Sequence, residues 1–446
     1  MDTIFLSRLQ FGLTVGFHYI FPQLTIGMGW MIFWIMTRYL RTGKQIYRTM
    51  ARFWLHVYAL GFAVGVATGI VMEFQFGTNW ANYSRFVGDI FGAPLAAEGV
   101  IAFFLESSFL GMLLFGWNRL SVKTHWFSSL MVALGATLSA FWIVVANSWQ
   151  QTPAGFEMVD GIPRLTSFAA AVFNPTTISR FTHVIVGALI AGSLYMLGLS
   201  AWFLLKKRHT SVAQETARMA LIVLLVAAVA QWGTGHASAV KMGQLQPSKL
   251  AAAEGLWETT ANAPLLVIGL PSVTQERNLF EIRLPGLLSY GVFGSFDAEV
   301  KGLKDYEIED RPPILPTFFS FHLMVGLGAF FVLFAAVGFW LSRRGRLADS
   351  RWFLWTALLA IPTPVIANEL GWFVAEIGRQ PWIVYGLLRT SDGYSAVVPA
   401  AHVLTSIVLF SLIYAMLFAL WVFLVRRAVL HGPEPLAETP GQEVRS

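Results

Sequence analysis

Residues 95–117 read LAAEGVIAFFLESSFLGMLLFGW, twenty-three positions in which the only charges are Glu98 and Glu106. About 20 apolar residues in a helix cross the hydrocarbon core of a bilayer. A carboxylate inside such a run is costly and marks a functional site by default. Working outward in both directions, comparable runs occur at 15–37, 53–72, 126–147, 182–205, 219–235, 317–341, 353–375 and 398–425. The reading is an all-α, polytopic membrane helical bundle of about nine transmembrane helices. A long loop separates helices six and seven.

Composition supports one bundle rather than soluble domains. The 446 residues are 56% hydrophobic and 13% charged, with mean hydropathy +0.60. The net charge of +6 comes from basic residues between the apolar runs, where they orient a protein against a membrane. A nucleic-acid partner is not expected. Cysteine is absent, which excludes disulfides, cysteine-bound iron–sulfur clusters and the C-x-x-C-H attachment of haem. A redox group would need His, Met or carboxylate ligands. The first apolar run flows into a basic segment with no small-residue cleavage site, so no cleavable signal is expected.

The segments between helices alternate in charge. Arg38, Arg41, Lys44, Arg48 and Arg52 follow helix one; Arg119 and Lys123 follow helix three. Lys206, Lys207, Arg208 and Arg218 follow helix five; Arg343, Arg344, Arg346 and Arg351 follow helix seven; Arg426 and Arg427 open the tail. The other segments hold only Arg85, then Arg164 and Arg180, then Arg379 and Arg389 in their short members. The positive-inside rule places the rich segments in the cytoplasm. The N-terminus is then periplasmic and the C-terminus cytoplasmic, in a multi-pass protein of a bacterial cytoplasmic (inner) membrane. The division expected is residues 1–240 for helices one to six, 241–316 for a periplasmic loop, 317–430 for helices seven to nine and 431–446 for a cytoplasmic tail. A loop that long in a compact fold is usually functional.

This topology brings His18, Glu98, His183, His322, Met324 and Glu376 to the outer ends of five helices. Scattered packing residues have no reason to share a depth, so the convergence suggests ligands. Each has a bland alternative: a lone His bonding a carbonyl, Met324 filling a core, Glu376 pairing with Arg379. Glu98 and Glu106, eight residues apart, would lie roughly 12 Å apart along one helix. With Ser107 and Ser108 nearby they form either a proton row or two carboxyls kept neutral by burial. His56, His125 and His209 read as interfacial; His236 and His402 are unassigned.

Three strings carry a resemblance: SRLQFGLTVGFHYIFPQLTIG around His18, the stretch 65–120 spanning helices two and three, and GWFVAEIGRQPW from Gly371 to Trp382. The chain resembles subunit I of cytochrome bd-type quinol oxidases. That resemblance implies a low-spin haem b between His183 (RFTHVIVG) and Met324 (FHLMVGLG). It also implies a high-spin haem b and a haem d (or a third haem b), with His18 and Glu376 as axial ligands, Glu98 beside them and Glu106 on a proton route. Trp372 and Arg379 match residues around the paired haems, Arg379 opposite their propionates. SKLAAAEGLWET resembles the quinol loop, with Lys249 and Glu254 at its functional positions; the alternative is a surface ion pair. One departure is His322, where the family often has Arg.

The expected activity follows. Quinol is oxidised at the outer face and oxygen is reduced to water with cytoplasmic protons, generating membrane potential without pumping. A homologous second subunit and a very small third one are the implied partners, besides lipid, quinol and oxygen. The rival is a secondary transporter or channel built on intramembrane Glu and His. A haem–copper oxidase is disfavoured because no adjacent His-His pair occurs, and a haem sensor without turnover is a further alternative.

Overall fold

The computed structural model describes residues 2–434; of the expected tail, 435–446 lie outside them. Among the described residues nine helices are long and apolar enough to span a membrane. They are α1 (Thr3–Thr42), α2 (Gln45–Thr78), α3 (Ala81–Phe115), α4 (Val122–Gln151), α5 (Thr177–Leu205), α6 (Thr210–Leu245), α7 (Ile314–Arg343), α8 (Arg351–Ile377) and α9 (Ala400–His431). Their number and order match the sequence expectation. Their lengths do not. Hydropathy marks only the part of a helix that tolerates lipid, whereas the helices run on through polar turns stabilised by caps and neighbours. The Asp2 side chain accepts from the Ile4 amide at the start of α1, and Gly43 ends it at φ 65°, a left-handed cap that glycine adopts without penalty.

The extra length matters at two places. α6 reaches Leu245, ten residues beyond its apolar run, and carries His236 to the cavity wall. α3 begins at Ala81, so Glu98 lies seventeen residues into the helix rather than in its first turn. This corrects the expected depth. Ser139, which donates to Glu98, precedes Asn147, which donates to Glu376, by eight residues on α4. Glu98 is therefore about 12 Å nearer the basic-loop side than Glu376. Residues Glu98–Phe103 form a π-helical segment, an irregularity that frequently accompanies function. α8 breaks at 360–362, around Pro362, where a proline cannot continue the hydrogen-bond ladder.

α1 is central, packed against α2, α4, α5 and α9. Its closest approach is to α5: a Cβ on Gly27 would fall 2.1 Å from the Ala188 carbonyl, and one on Gly192 would fall 2.5 Å from Gly27. Small residues at a crossing let two backbones touch, the usual device for holding membrane helices together. His18 and His183 each lie nine residues before their crossing glycine (27 − 18 and 192 − 183). At 1.5 Å per residue, both imidazoles sit roughly 13 Å from the contact, so one crossing sets two depths together.

The long loop is ordered structure. It opens with a short helix, Pro247–Glu254, and continues through a hairpin pairing Leu265–Ser272 with Arg277–Leu284. Smaller ladders join Phe156–Val159 to Ile162–Leu165, Thr260–Ala261 to Glu299–Val300, and Trp382–Val384 to Leu388–Arg389. All lie on the side opposite the basic connections and roof the end of the bundle that holds Glu376.

Candidate functional site

One cavity of about 1980 Å³ runs through the upper half of the bundle, and every candidate residue lines it: His18, Glu98, Glu106, His183, Lys249, Glu254, Met324, Trp372, Glu376 and Arg379. Ordinary small-molecule pockets occupy roughly 300–1,000 Å³, so this space admits more than one large group. His236 and His322 also face it. His402 stands exposed in the first turn of α9, away from the cavity, and His125, in the first turn of α4 beside the basic connection, is buried against Trp117 at 4.6 Å.

The two histidines are held alike. His18 Nδ1 lies 3.0 Å from the Thr68 hydroxyl, and His183 Nδ1 lies 3.1 Å from the Thr234 hydroxyl. Each threonine is followed by a glycine that packs on the ring: a Cβ on Gly69 would come 3.1 Å from His18 and one on Gly235 would come 3.5 Å from His183. A threonine–glycine pair thus serves both sites, the hydroxyl orienting the imidazole and the glycine letting backbone pack against its ring. Fixing one ring nitrogen directs the other toward a metal, and such outer partners tune a site strongly. His183 Nε2 faces the cavity, with the Gln231 amide 3.2 Å away. Met324 meets a third glycine; a Cβ on Gly371 would fall 3.0 Å from its sulfur.

His322 is not free to compete with Met324. Its ring nitrogens lie 3.0 Å from the Phe318 and Leu266 carbonyls, and its ring packs at a tilt on Phe318, with centroids 4.0 Å apart. It ties the hairpin to α7.

Glu376 accepts from Asn147 (2.8 Å) and Gln151 (3.2 Å) and pairs with Arg379 at 2.5 Å. Arg379, 4% exposed, also donates to Gln150, while its Nε is buried without a partner among the described residues. Buried donors are rarely left unpaired, so an acceptor belongs there. Deeper in, Glu98 accepts from Ser139 at 2.7 Å and Glu106 accepts from Tyr58 at 2.6 Å. The carboxyls face one strip of α4, since Gly135, beside Glu106, and Ser139 are one turn apart. The serines expected to join them do not: Ser107 donates to the Phe103 carbonyl and Ser108 is exposed.

Lys249 and Glu254 are 1% and 4% exposed, so neither belongs to a surface ion pair, and they do not pair with each other. Five residues apart on one helix, they point roughly 140° apart. Lys249 Nζ donates to Gln151 (2.5 Å) and to the Ala375 carbonyl (3.0 Å). Burial, helped by Arg180 and Arg379, holds its amine well below the usual lysine range. Glu254 accepts from the Leu266 backbone, and burial pushes its carboxyl up to about 8; its other oxygen has no partner among the described residues.

Thr68, Thr234, Tyr58, Ser139, Asn147 and Gln151 were not singled out in the sequence. Only the repeated Thr-Gly pair left a signal there, too short to stand by itself.

Fold and site together define a class: a polytopic helical membrane protein with a large interior cavity lined by imidazole, thioether and carboxylate side chains. The chain belongs to the cytochrome bd terminal oxidase subunit I family, whose model matches residues 6–433. It is 41% identical to the cytochrome bd ubiquinol oxidase subunit 1 of Bacillus subtilis over 97% of this chain and 95% of that protein. It is 36% identical to the cytochrome bd-II ubiquinol oxidase subunit 1 of Escherichia coli, covering 99% of both. The structure superposes on bd oxidase from Geobacillus thermodenitrificans with a TM-score of 0.91 at 31% identity, covering 97% of this chain and 99% of that one. The chain is therefore a subunit of a bacterial membrane oxidase.

Proposed function

We propose that this chain is the haem-bearing catalytic subunit of a quinol:oxygen oxidoreductase, working with a homologous second subunit in the bacterial inner membrane. The observation that carries the reading is the single cavity in which two threonine-oriented histidines, a methionine packed on glycine and a buried Glu–Arg pair all converge. These residues fit haem. The glycines let neighbouring backbone pack directly against the ligand side chains, and Arg379 Nε, unpaired among the described residues, suits a propionate. His183 and Met324 would hold a low-spin haem b. His18 and Glu376 would hold the high-spin pair, one b and one d or both b, with Glu98 and Trp372 beside them. When bound, the haems supply the electron carriers and the iron at which oxygen is reduced.

The remaining chemistry belongs to the chain. Glu254 lines the outer end of the cavity and accepts a quinol proton, its carboxyl poised near working pH. Glu106, oriented by Tyr58, and Glu98, oriented by Ser139, hold protons on the way from the basic-loop side toward the buried end. With the basic loops in the cytoplasm, quinol protons leave outside and consumed protons enter from inside. Charge then separates without a pump. Loop 241–316 forms the quinol site, and a very small third subunit completes the complex.

Pigment extraction and a reduced-minus-oxidised spectrum of membranes containing the complex test the reading. Bands of b-type haem, with d-type bands if that haem is present, are expected. A preparation with no haem bands leaves the transporter reading in possession of the intramembrane carboxylates.

A further inference from the structure

The hairpin of the long loop pairs Leu265 with Leu284, Ile268 with Ile282 and Leu270 with Phe280. Residues directly opposite in an antiparallel pair share a face, as do alternate positions along a strand. The irregularity between Leu266 and Ile268 keeps Leu265 on the side of Ile268, so these six side chains lie together. Ile268, Leu270, Phe280, Ile282 and Leu284 are each 44–55% exposed. The other face is occupied. Leu266 is buried there, a Cβ on Gly269 would come 3.2 Å from Phe318 of α7, and Glu281 pairs with Arg283 at 3.1 Å. The hairpin thus leans on the protein with one face and turns an apolar sheet face outward. A contiguous apolar patch of this kind marks an interaction surface.

Depth decides what covers it, and α7 serves as the ruler. The Leu266 carbonyl lies 3.0 Å from His322 Nε2, Gly269 sits beside Phe318, and Glu276 in the turn pairs with Arg311 at 2.6 Å. The first strand therefore climbs along α7, from its apolar run 317–341 to a charged residue just before the helix starts at Ile314. That run is roughly 37 Å long, against a hydrocarbon core of about 30 Å, so its first turns stand at the membrane interface. Phe319 and Leu323, next to the two contact positions on α7, are exposed and continue the apolar surface of the span up to the hairpin. Beyond the hairpin, Tyr290 stacks on Phe296 at 4.7 Å and both are exposed; tyrosine is enriched at the interface. The two open edges of a hairpin exclude it from hydrocarbon, where unpaired backbone groups find no partner. Only the headgroup layer satisfies both its edges and its apolar face.

We propose that the hairpin 265–284 is a phospholipid-binding element: it lies in the headgroup layer of the leaflet opposite the basic connections, with Ile268, Leu270, Phe280, Ile282 and Leu284 set against acyl chains. Interfacial elements bury their apolar face roughly 5–10 Å into the boundary, a depth that the contacts with Phe318 and His322 allow. The loop thereby attaches to the membrane in a second way, beside the spanning helices that flank it. The cavity edge lined by Val267 and Leu287 then meets lipid rather than water.

The chain has no cysteine, so introduced thiols report position cleanly. Ile268→Cys, Phe280→Cys and, in the turn, Thr274→Cys are labelled with an environment-sensitive fluorophore in the purified complex. The complex is reconstituted into nanodiscs of phosphatidylethanolamine and phosphatidylglycerol, and signal from the labelled wild-type complex is subtracted. The discs carry a nitroxide lipid labelled either near the headgroup or at the chain end, and iodide is the quencher from water. Probes at 268 and 280 should be quenched about twofold or more strongly by the headgroup-proximal nitroxide than by the chain-end one. They should be shielded from iodide, and the probe at 274 should be open to it. Equal iodide quenching at all three positions puts the face in water and overturns the proposal. Protection of 268 and 280 from iodide and from both nitroxides puts a protein surface over the face and overturns it too. If either variant fails to accumulate, Leu270→Cys and Ile282→Cys, on the same face, decide by the same readouts. The measurement reads position alone, so a complex without haem bands sinks the haem reading and leaves this result standing.

Discussion

Thr234→Val should loosen the haem proposed at His183 while leaving the fold intact. Valine matches threonine in shape, so the change deletes the hydroxyl 3.1 Å from Nδ1 and opens no cavity. The Nδ1–H then faces a partly buried surface without an acceptor. A buried donor left unsatisfied costs about 1–3 kcal/mol, and outer-shell partners of metal-bound histidines are typically worth 10–100-fold in affinity. The two estimates agree, since 1.4 kcal/mol is about tenfold. The assay is haem retained per complex after dilution into detergent with a haem scavenger, followed by the low-spin b band. Thr234→Val should lose that band at least about tenfold faster, and Thr234→Ser, which keeps the hydroxyl, should not. Thr68→Val should affect a high-spin band and spare the low-spin one, because Thr68 holds only His18. Equal retention in Thr234→Val and wild type, or loss of the same band from both valine variants, refutes the argument that each threonine orients its own ligand.

Glu254 should impose a pH ramp on quinol oxidation. With its carboxyl pushed up to about 8, only about a tenth is ionised at pH 7. The steady-state rate should rise with pH toward 8 and level above it, while Glu254→Gln should be slow and lack the ramp. Met324→Ala should convert the low-spin b spectrum to a high-spin one, whereas His322→Ala, which removes a clamp between the hairpin and α7, should keep the low-spin band. Tyr58→Phe deletes the donor to Glu106, a hydrogen bond worth about 1 kcal/mol. Oxygen uptake should fall about fivefold with quinol KM unchanged, measured with an oxygen electrode.

How far the site could be read in advance differs from residue to residue. His18 and His183 stand out because an ionisable side chain in an apolar run is rare and expensive, whereas Glu376 just follows such a run and Met324, an ordinary core residue by itself, is set apart only by the family resemblance; all four face the cavity. Glu98 stood out for the same reason, but its depth did not follow. Its helix starts fourteen residues before the apolar run (81 against 95), and hydropathy is blind to an amphipathic turn packed on loops. Lys249 and Glu254 share a short string, and nothing in that string says they face opposite ways. The turn of a helix and a glycine 129 positions later decide it.

The sequence by itself determined that this chain crosses a membrane about nine times, with its basic connections on one side. Those properties sum along the chain, since each helix must hide its own backbone in lipid and each loop carries its own charge. Tertiary structure alone decided which side chains meet. The contact of Gly27 with Gly192 brings two histidines level, a threonine–glycine pair from another helix supports each ring, Ser139 and Tyr58 meet the two deep carboxyls, and Gly378 admits Lys249 to the Glu376 turn. Contacts between helices depend on rotation, depth and the absence of side chains at the points of approach, and none of these is a property of one segment taken singly.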